Sequence, residues 1–214
     1  NTATVTTRTP GFDLLITKTA TRSGAVPGLV PGASNTYTLT YKNQGTASAC
    51  DVHIRDTLGT NLSFVGTGHN FTSISLVDND GNSITPVDSL NTLISNPPNP
   101  TVTLSGNVLT ADLGVNLCIP PGAQQSFEVY AKVGSSVTDG IIVANLAEIY
   151  TTGSSVEQIQ DNNTAIVNTT VWRADVVATK TGVVTPGGSA TLANPGETIR
   201  YTIEYDNIGN ADAD

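Results

Sequence analysis

The sequence predicts an all-β fold in which two sheets pack as a sandwich. Three observations point there. Thr and Val, which favour strands, and Gly, Asn and Pro, which favour turns, take the place that charged residues hold in most globular chains. Apolar and polar residues alternate in several short runs. Turn residues bound every run, and no window of helical period flanked by caps stands between them.

The runs follow in chain order. Tyr37, Leu39 and Tyr41 alternate with Thr36, Thr38 and Thr40, between Pro31-Gly32 and Asn43-Gln44-Gly45. Val52 and Ile54 alternate with His53 and Arg55. Val102 and Leu104 alternate with Thr101 and Thr103, ahead of Ser105-Gly106-Asn107. Phe127, Val129, Ala131 and Val133 alternate with Glu128, Tyr130 and Lys132, after Pro120-Pro121-Gly122. Each reads as a half-buried strand, and several at this spacing argue for a sandwich.

The 214 residues are 38% hydrophobic, enough for a real core. Charged residues are 13%, about half the usual share. The net charge is -9, with nine Lys plus Arg. Such a chain lacks the basic footprint that nucleic acid requires, and an anionic membrane repels it. The acidity reads as a solvated surface, with attraction of divalent cations as the competing reading. No apolar run approaches the roughly 20 residues that span a bilayer. There is no signal peptide and no Met, so the chain reads as a piece of something longer.

The chain is internally repetitive. Asn1-Thr2-Ala3-Thr4-Val5 returns as Asn163-Thr164-Ala165-Ile166-Val167, and Asp13 through Lys18-Thr19 returns, with no gap, as Asp175 through Lys180-Thr181. Pro31-Gly32 matches Pro195-Gly196, and Tyr37-Thr38-Leu39-Thr40-Tyr41 matches Tyr201-Thr202-Ile203-Glu204-Tyr205. Asn43, Gly45, Ala47 and Ala49 match Asn207, Gly209, Ala211 and Ala213, with two residues added in the loop before them. The expected organisation is a final strand of one repeat (residues 1–10), a complete repeat (11–171), and the opening of the next (172–214). The complete repeat exceeds the usual ~100 residues of such a sandwich. The surplus falls near 66–100, which reads as an inserted hairpin followed by a Pro-rich loop.

Taken in order, Asp13-Leu14-Leu15-Ile16-Thr17-Lys18-Thr19, the Pro31-Gly32 turn, Tyr37 to Gly45, Val52-His53-Ile54-Arg55-Asp56-Thr57-Leu58, Asn61 to Val65, Leu113-Gly114, Pro120-Pro121-Gly122-Ala123 and Asp161-Asn162-Asn163-Thr164-Ala165 resemble the DUF11 family of Ig-like repeats. The resemblance implies a tandem β-sandwich array in a prokaryotic cell-surface, sheath or fibre protein. It implies no catalytic residues. The insertion and the two cysteines depart from the family pattern.

Candidate sites are few. Cys50 and Cys118 are the only cysteines, and an even count in a chain of extracellular character suggests a disulfide. Free buried thiols are the alternative, and with only His53 and His69 no zinc spacing emerges. Asp78, Asp80 and Asn82 place oxygens on alternate residues around Gly81, as a calcium loop does, although Asp-Gly is equally a hairpin turn. Lys18 lies in the first strand. Some surface sandwiches cross-link such a lysine to a late-strand asparagine through an isopeptide bond. Asn145, Asn163 and Asn168 are conceivable acceptors, with Glu148 as the assisting carboxyl and nothing in the spacing to select among them, and the plainer reading is a lysine on a solvated face. Asn61, Asn70, Asn162 and Asn168 open glycosylation sequons. Trp172 falls at the repeat junction, packing repeat on repeat or capping the core, with Pro10 at the equivalent position.

No Ser/His/Asp or Cys/His arrangement, phosphate loop or Rossmann pattern is present, so no enzyme and no cofactor beyond calcium is expected. The leading expectation is an extracellular structural repeat. It would act through end-to-end or lateral contacts with copies or repeats of itself, including strand donation across open sheet edges. The alternative is an adhesin whose 66–100 insertion recognises glycan or protein.

Overall fold

The computed structural model describes residues 10–22, 28–68, 73–153, 157–185 and 192–213. They contain strands and no helix, so no helix among them is long and apolar enough to cross a membrane. In chain order the strands are β1 (Leu14–Arg22), β2 (Ser34–Asn43), β3 (Ala49–Cys50), β4 (Val52–Leu58), β5 (Leu62–Gly68), β6 (Leu76–Val77), β7 (Ser83–Ile84) and β8 (Thr101–Ser105). They continue as β9 (Val108–Asp112), β10 (Cys118–Ile119), β11 (Gln124–Val133), β12 (Ile142–Thr151), β13 (Thr164–Thr170), β14 (Val176–Thr185) and β15 (Thr198–Asn207).

Two antiparallel sheets form an Ig-like sandwich. One runs β1-β2-β11-β6-β7, with β5 also pairing β11. The other runs β13-β12-β4-β9-β8. The alternation read from the sequence sets the faces. Tyr37, Leu39 and Tyr41 of β2, Val52 and Ile54 of β4, and Phe127, Val129, Ala131 and Val133 of β11 all point into one core. Strand β8 departs from expectation. It lies at the sheet edge with all five residues exposed, Val102 and Leu104 included, because among the described residues none packs over its inner face.

Asn43 fixes the entry of the chain into the sandwich. It is fully buried, and its side chain uses both ends. Oδ1 accepts the Asp13 and Gly45 N–H groups at 3.3 and 3.0 Å, and Nδ2 donates to the Ala47 and Ile119 carbonyls at 2.8 Å each. The Gly11 carbonyl accepts from Thr46 and Ala47 at 2.9 and 3.2 Å. Gly45 is required by close approach, since a Cβ there would meet Gly11 O and Asp13 N at 2.5 Å.

The same device recurs in the β14–β15 hairpin. Asn207 Oδ1 accepts the Asp175 and Gly209 N–H groups at 3.1 Å each, and Nδ2 donates to Ala211 O at 2.7 Å. Arg173 O accepts from Asn210 and Ala211 at 2.9 and 3.1 Å. Asn43→Ala is expected to destabilise the sandwich by at least about 2 kcal/mol, because buried donors and acceptors lose their partners. Asn207→Ala is expected to leave the same urea midpoint unmoved, its hairpin lying outside the packed core. Equilibrium urea unfolding of the two variants checks this.

Candidate functional site

Three inward-facing rows that should be apolar are each broken by one polar residue. On β1 the row is Leu14, Ile16, Lys18; on β4 it is Val52, Ile54, Asp56, Leu58; on β12 it is Val143, Asn145, Ala147, Ile149. Lys18 Nζ donates to Asp56 Oδ2 in a short contact, and both side chains are essentially without solvent exposure. Lys18 therefore does not lie on a solvated strand face. It is in phase with Leu14 and Ile16, and the pleat turns it inward.

Asn145 completes the cluster. Asp56 pairs directly with Ala147 across the β4–β12 ladder, which makes Asn145 its diagonal neighbour on the same face. The Asn145 amide draws the Asp56 carboxyl down, yet neither its oxygen nor its nitrogen makes a hydrogen bond of normal geometry, and Asp56 Oδ1 also lacks one. Tyr37 closes the cluster from β2, its ring centroid 5.0 Å from Lys18 Nζ, with buried Asn35 beside it. Burial pushes the Lys18 amine down to about 8 against the opposing pull of Asp56. Burial likewise pushes the Asp56 carboxyl up, against the opposing effects of Lys18 and Asn145. Both shifts favour the neutral forms.

This arrangement is expensive. A buried ion pair often contributes less than an apolar replacement would. Each buried polar group without a partner adds a penalty of about 1–3 kcal/mol.

The other expected residues fall as follows. Glu148, the expected carboxyl, is on the opposite face of β12, bound to Arg55 at 2.7 Å, because it is one residue out of phase with Asn145 and Ala147. Asp56 occupies its anticipated place. Asn163 is held by Glu157 at 2.7 Å, and Asn168 is exposed on β13. Asn61 is exposed in the turn before β5, and Asn162 donates to Asp13 at 2.9 Å. Asn70 and His69 lie outside the described residues.

Cys50 and Cys118 form a disulfide between β3 and β10, at directly paired positions. On its other side the Cys118 backbone exchanges hydrogen bonds with Val87, at 2.7 and 3.2 Å. The insertion is thereby stitched to the disulfide. Its Ile74, Leu76 and Val87 are buried, and Gln125 grips its start, donating to Ser73 O and accepting from Ser75 N at 2.9 Å each.

Asp78 is used by its own turn. Oδ1 accepts from the Asp80 and Asn82 N–H groups and Oδ2 from Asn82 Nδ2, all at 2.9 Å, which holds the carboxyl below its ordinary range. Among the described residues no group of three or more His, Cys, Asp or Glu is placed to hold a metal. Asp88 builds a second turn of the same kind, with Asn91 in the left-handed position that Gly81 fills in the first.

Trp172 packs on the sandwich that begins with β1. Its N–H donates to Leu29 O at 2.7 Å, and its indole lies on Gly28 where a Cβ would overlap it. Pro10 is exposed. Asp139, in the loop before β12, reaches the residues that flank the β14–β15 hairpin, accepting from Arg173 N at 2.8 Å and Asn210 Nδ2 at 2.6 Å.

Replacing both cysteines by alanine is expected to cost about 2–4 kcal/mol in the same urea experiment, through the loop freed in the unfolded chain. An unchanged midpoint would contradict this.

No family model matches the chain, and no curated protein matches it. Among solved structures it is similar to the major pilin subunit BcpA of Bacillus cereus, at 14% identity and a TM-score of 0.46, covering 91% of this chain and 55% of that one. A CARDB domain from Pyrococcus furiosus, in complex with di-metal ions, is 11% identical with a TM-score of 0.40, covering 77% of this chain and 94% of that one. The collagen-binding domain of a Staphylococcus aureus adhesin is 12% identical with a TM-score of 0.37, covering 77% and 99%. What the chain shares with them is an all-β, Ig-like sandwich.

Proposed function

We propose that this chain is a structural segment of an extracellular surface assembly, built from DUF11-type sandwiches in series. The observation that carries the reading is the β14–β15 hairpin. It repeats the local bonds of the β1–β2 hairpin at Asn207, lacking only a counterpart to the Asn43 bond with Ile119, while the face matching the first core stands open. Tyr201, Ile203 and Tyr205 are 57%, 64% and 82% exposed, where Tyr37, Leu39 and Tyr41 are at most 1%. A two-stranded hairpin with such a face is marginal alone and needs a facing sheet. On this reading the hairpin opens a second sandwich, and Asp139 holds the junction.

The disulfide supports an oxidising, extracellular setting. The insertion is bonded along β11 and to the disulfide strand, so on this reading it is chiefly part of the wall. Electron microscopy of the native material, with its intact mass, tests the proposal. Extended particles with an axial repeat of one sandwich are expected. A compact particle that binds a glycan or protein ligand only while the 66–100 insertion is present would favour an adhesin and overturn it.

A further inference from the structure

We propose that Lys18 and Asn145 become joined by an intramolecular isopeptide bond inside the folded sandwich, with Asp56 as the acid–base group. Three strands that meet only in the folded state bring the reactants together. Strand β1 supplies the amine, β12 the amide and β4 the carboxyl, all on inward faces. Lys18 Nζ already rests on Asp56, and Asp56 is the neighbour of Asn145 across the ladder. The Asn145 amide is wholly buried with both polar atoms unpartnered, a poor arrangement for a structural residue and a suitable one for an electrophile. The inference goes beyond the repeat reading and does not depend on it.

The chemistry balances without an added reagent. Within the buried pair a proton passes from Lys18 to Asp56, leaving a neutral amine and a neutral carboxylic acid. The lowered Lys18 and raised Asp56 both favour this distribution. Protonated Asp56 polarises the Asn145 carbonyl. The Nζ lone pair attacks Cγ, forming the new C–N bond and a tetrahedral centre. Asp56 relays the proton from Nζ to Nδ2. The Cγ–Nδ2 bond breaks, and the departing ammonia takes up the proton that Lys18 had given to Asp56, leaving as ammonium and returning Asp56 to its carboxylate. Confinement of the reactants replaces an external catalyst.

The test is the mass of the purified, reduced protein under denaturing conditions. The wild type is expected to weigh one ammonia, about 17 Da, less than its sequence. Proteolysis is expected to yield a branched peptide joining Lys18 to Asn145. Asn145→Ala and Asp56→Ala are each expected to show full sequence mass. Full sequence mass in the wild type overturns the proposal whatever the variants do. So does an ammonia loss that maps to another pair, Asn35 being the nearest rival amide. Ammonia loss persisting in Asp56→Ala overturns the role given to Asp56. Because the readout is covalent mass, the wild-type result does not depend on any variant folding.

Discussion

Everything in this sandwich depends on one constraint: two sheets can stack only if their facing rows are apolar and in phase. Almost every inward position obeys it. Asn35 and Gln125 are polar exceptions in the inward rows of β2 and β11, and Lys18, Asp56 and Asn145 break the rule together, on three strands drawn from both sheets. A fold that otherwise buries Leu, Ile, Val and Tyr gains little from an ion pair and an orphaned amide at its centre. Covalent closure gives the exception a reason. The same pleat that excludes water from the core also drives the amine, acid and amide against one another.

The remaining features distribute load around that centre. Strand β1 is the first of the sandwich and β12 its second last, so a tie between them closes the sandwich near its two ends. Asn43 locks the approach of the chain to β1 and reaches β10 at the Ile119 carbonyl, and the disulfide locks β10 to β3 beside it. The insertion adds β6 and β7 beside β11 and shelters the disulfide strand. These devices suit a segment that transmits force. That property belongs to the proposed assembly, whereas the sandwich itself follows from alternation and turns.

Much of this was legible in the sequence, because period-two alternation reports which face is buried. It placed the core rows of β2, β4 and β11, and self-similarity located the second hairpin. It misread β8, since alternation cannot say whether anything lies opposite an edge strand. Lys18 was singled out, yet its phase with Leu14 and Ile16 was the neglected evidence that it is buried. Asp56 was missed for the same reason: it is in phase with Val52, Ile54 and Leu58, while Glu148 is out of phase with Asn145. The Asp88 turn was also readable, as Asp78-Asn79-Asp80-Gly81-Asn82 and Asp88-Ser89-Leu90-Asn91-Thr92 share a spacing once Asn is allowed the left-handed position of Gly. The meeting of β1 with β12 and β4 is tertiary, and no local pattern announces it.

The most direct measurement is the extension of the sandwich under force, pulled from residues 10 and 172. If Lys18 and Asn145 are joined, the chain between them stays folded out of the load path, and only the two outer segments lengthen. Asn145→Ala should then extend further, by roughly 3.4 Å for each residue released once its disulfide is reduced. Equal extension of the wild type and this variant would contradict the account.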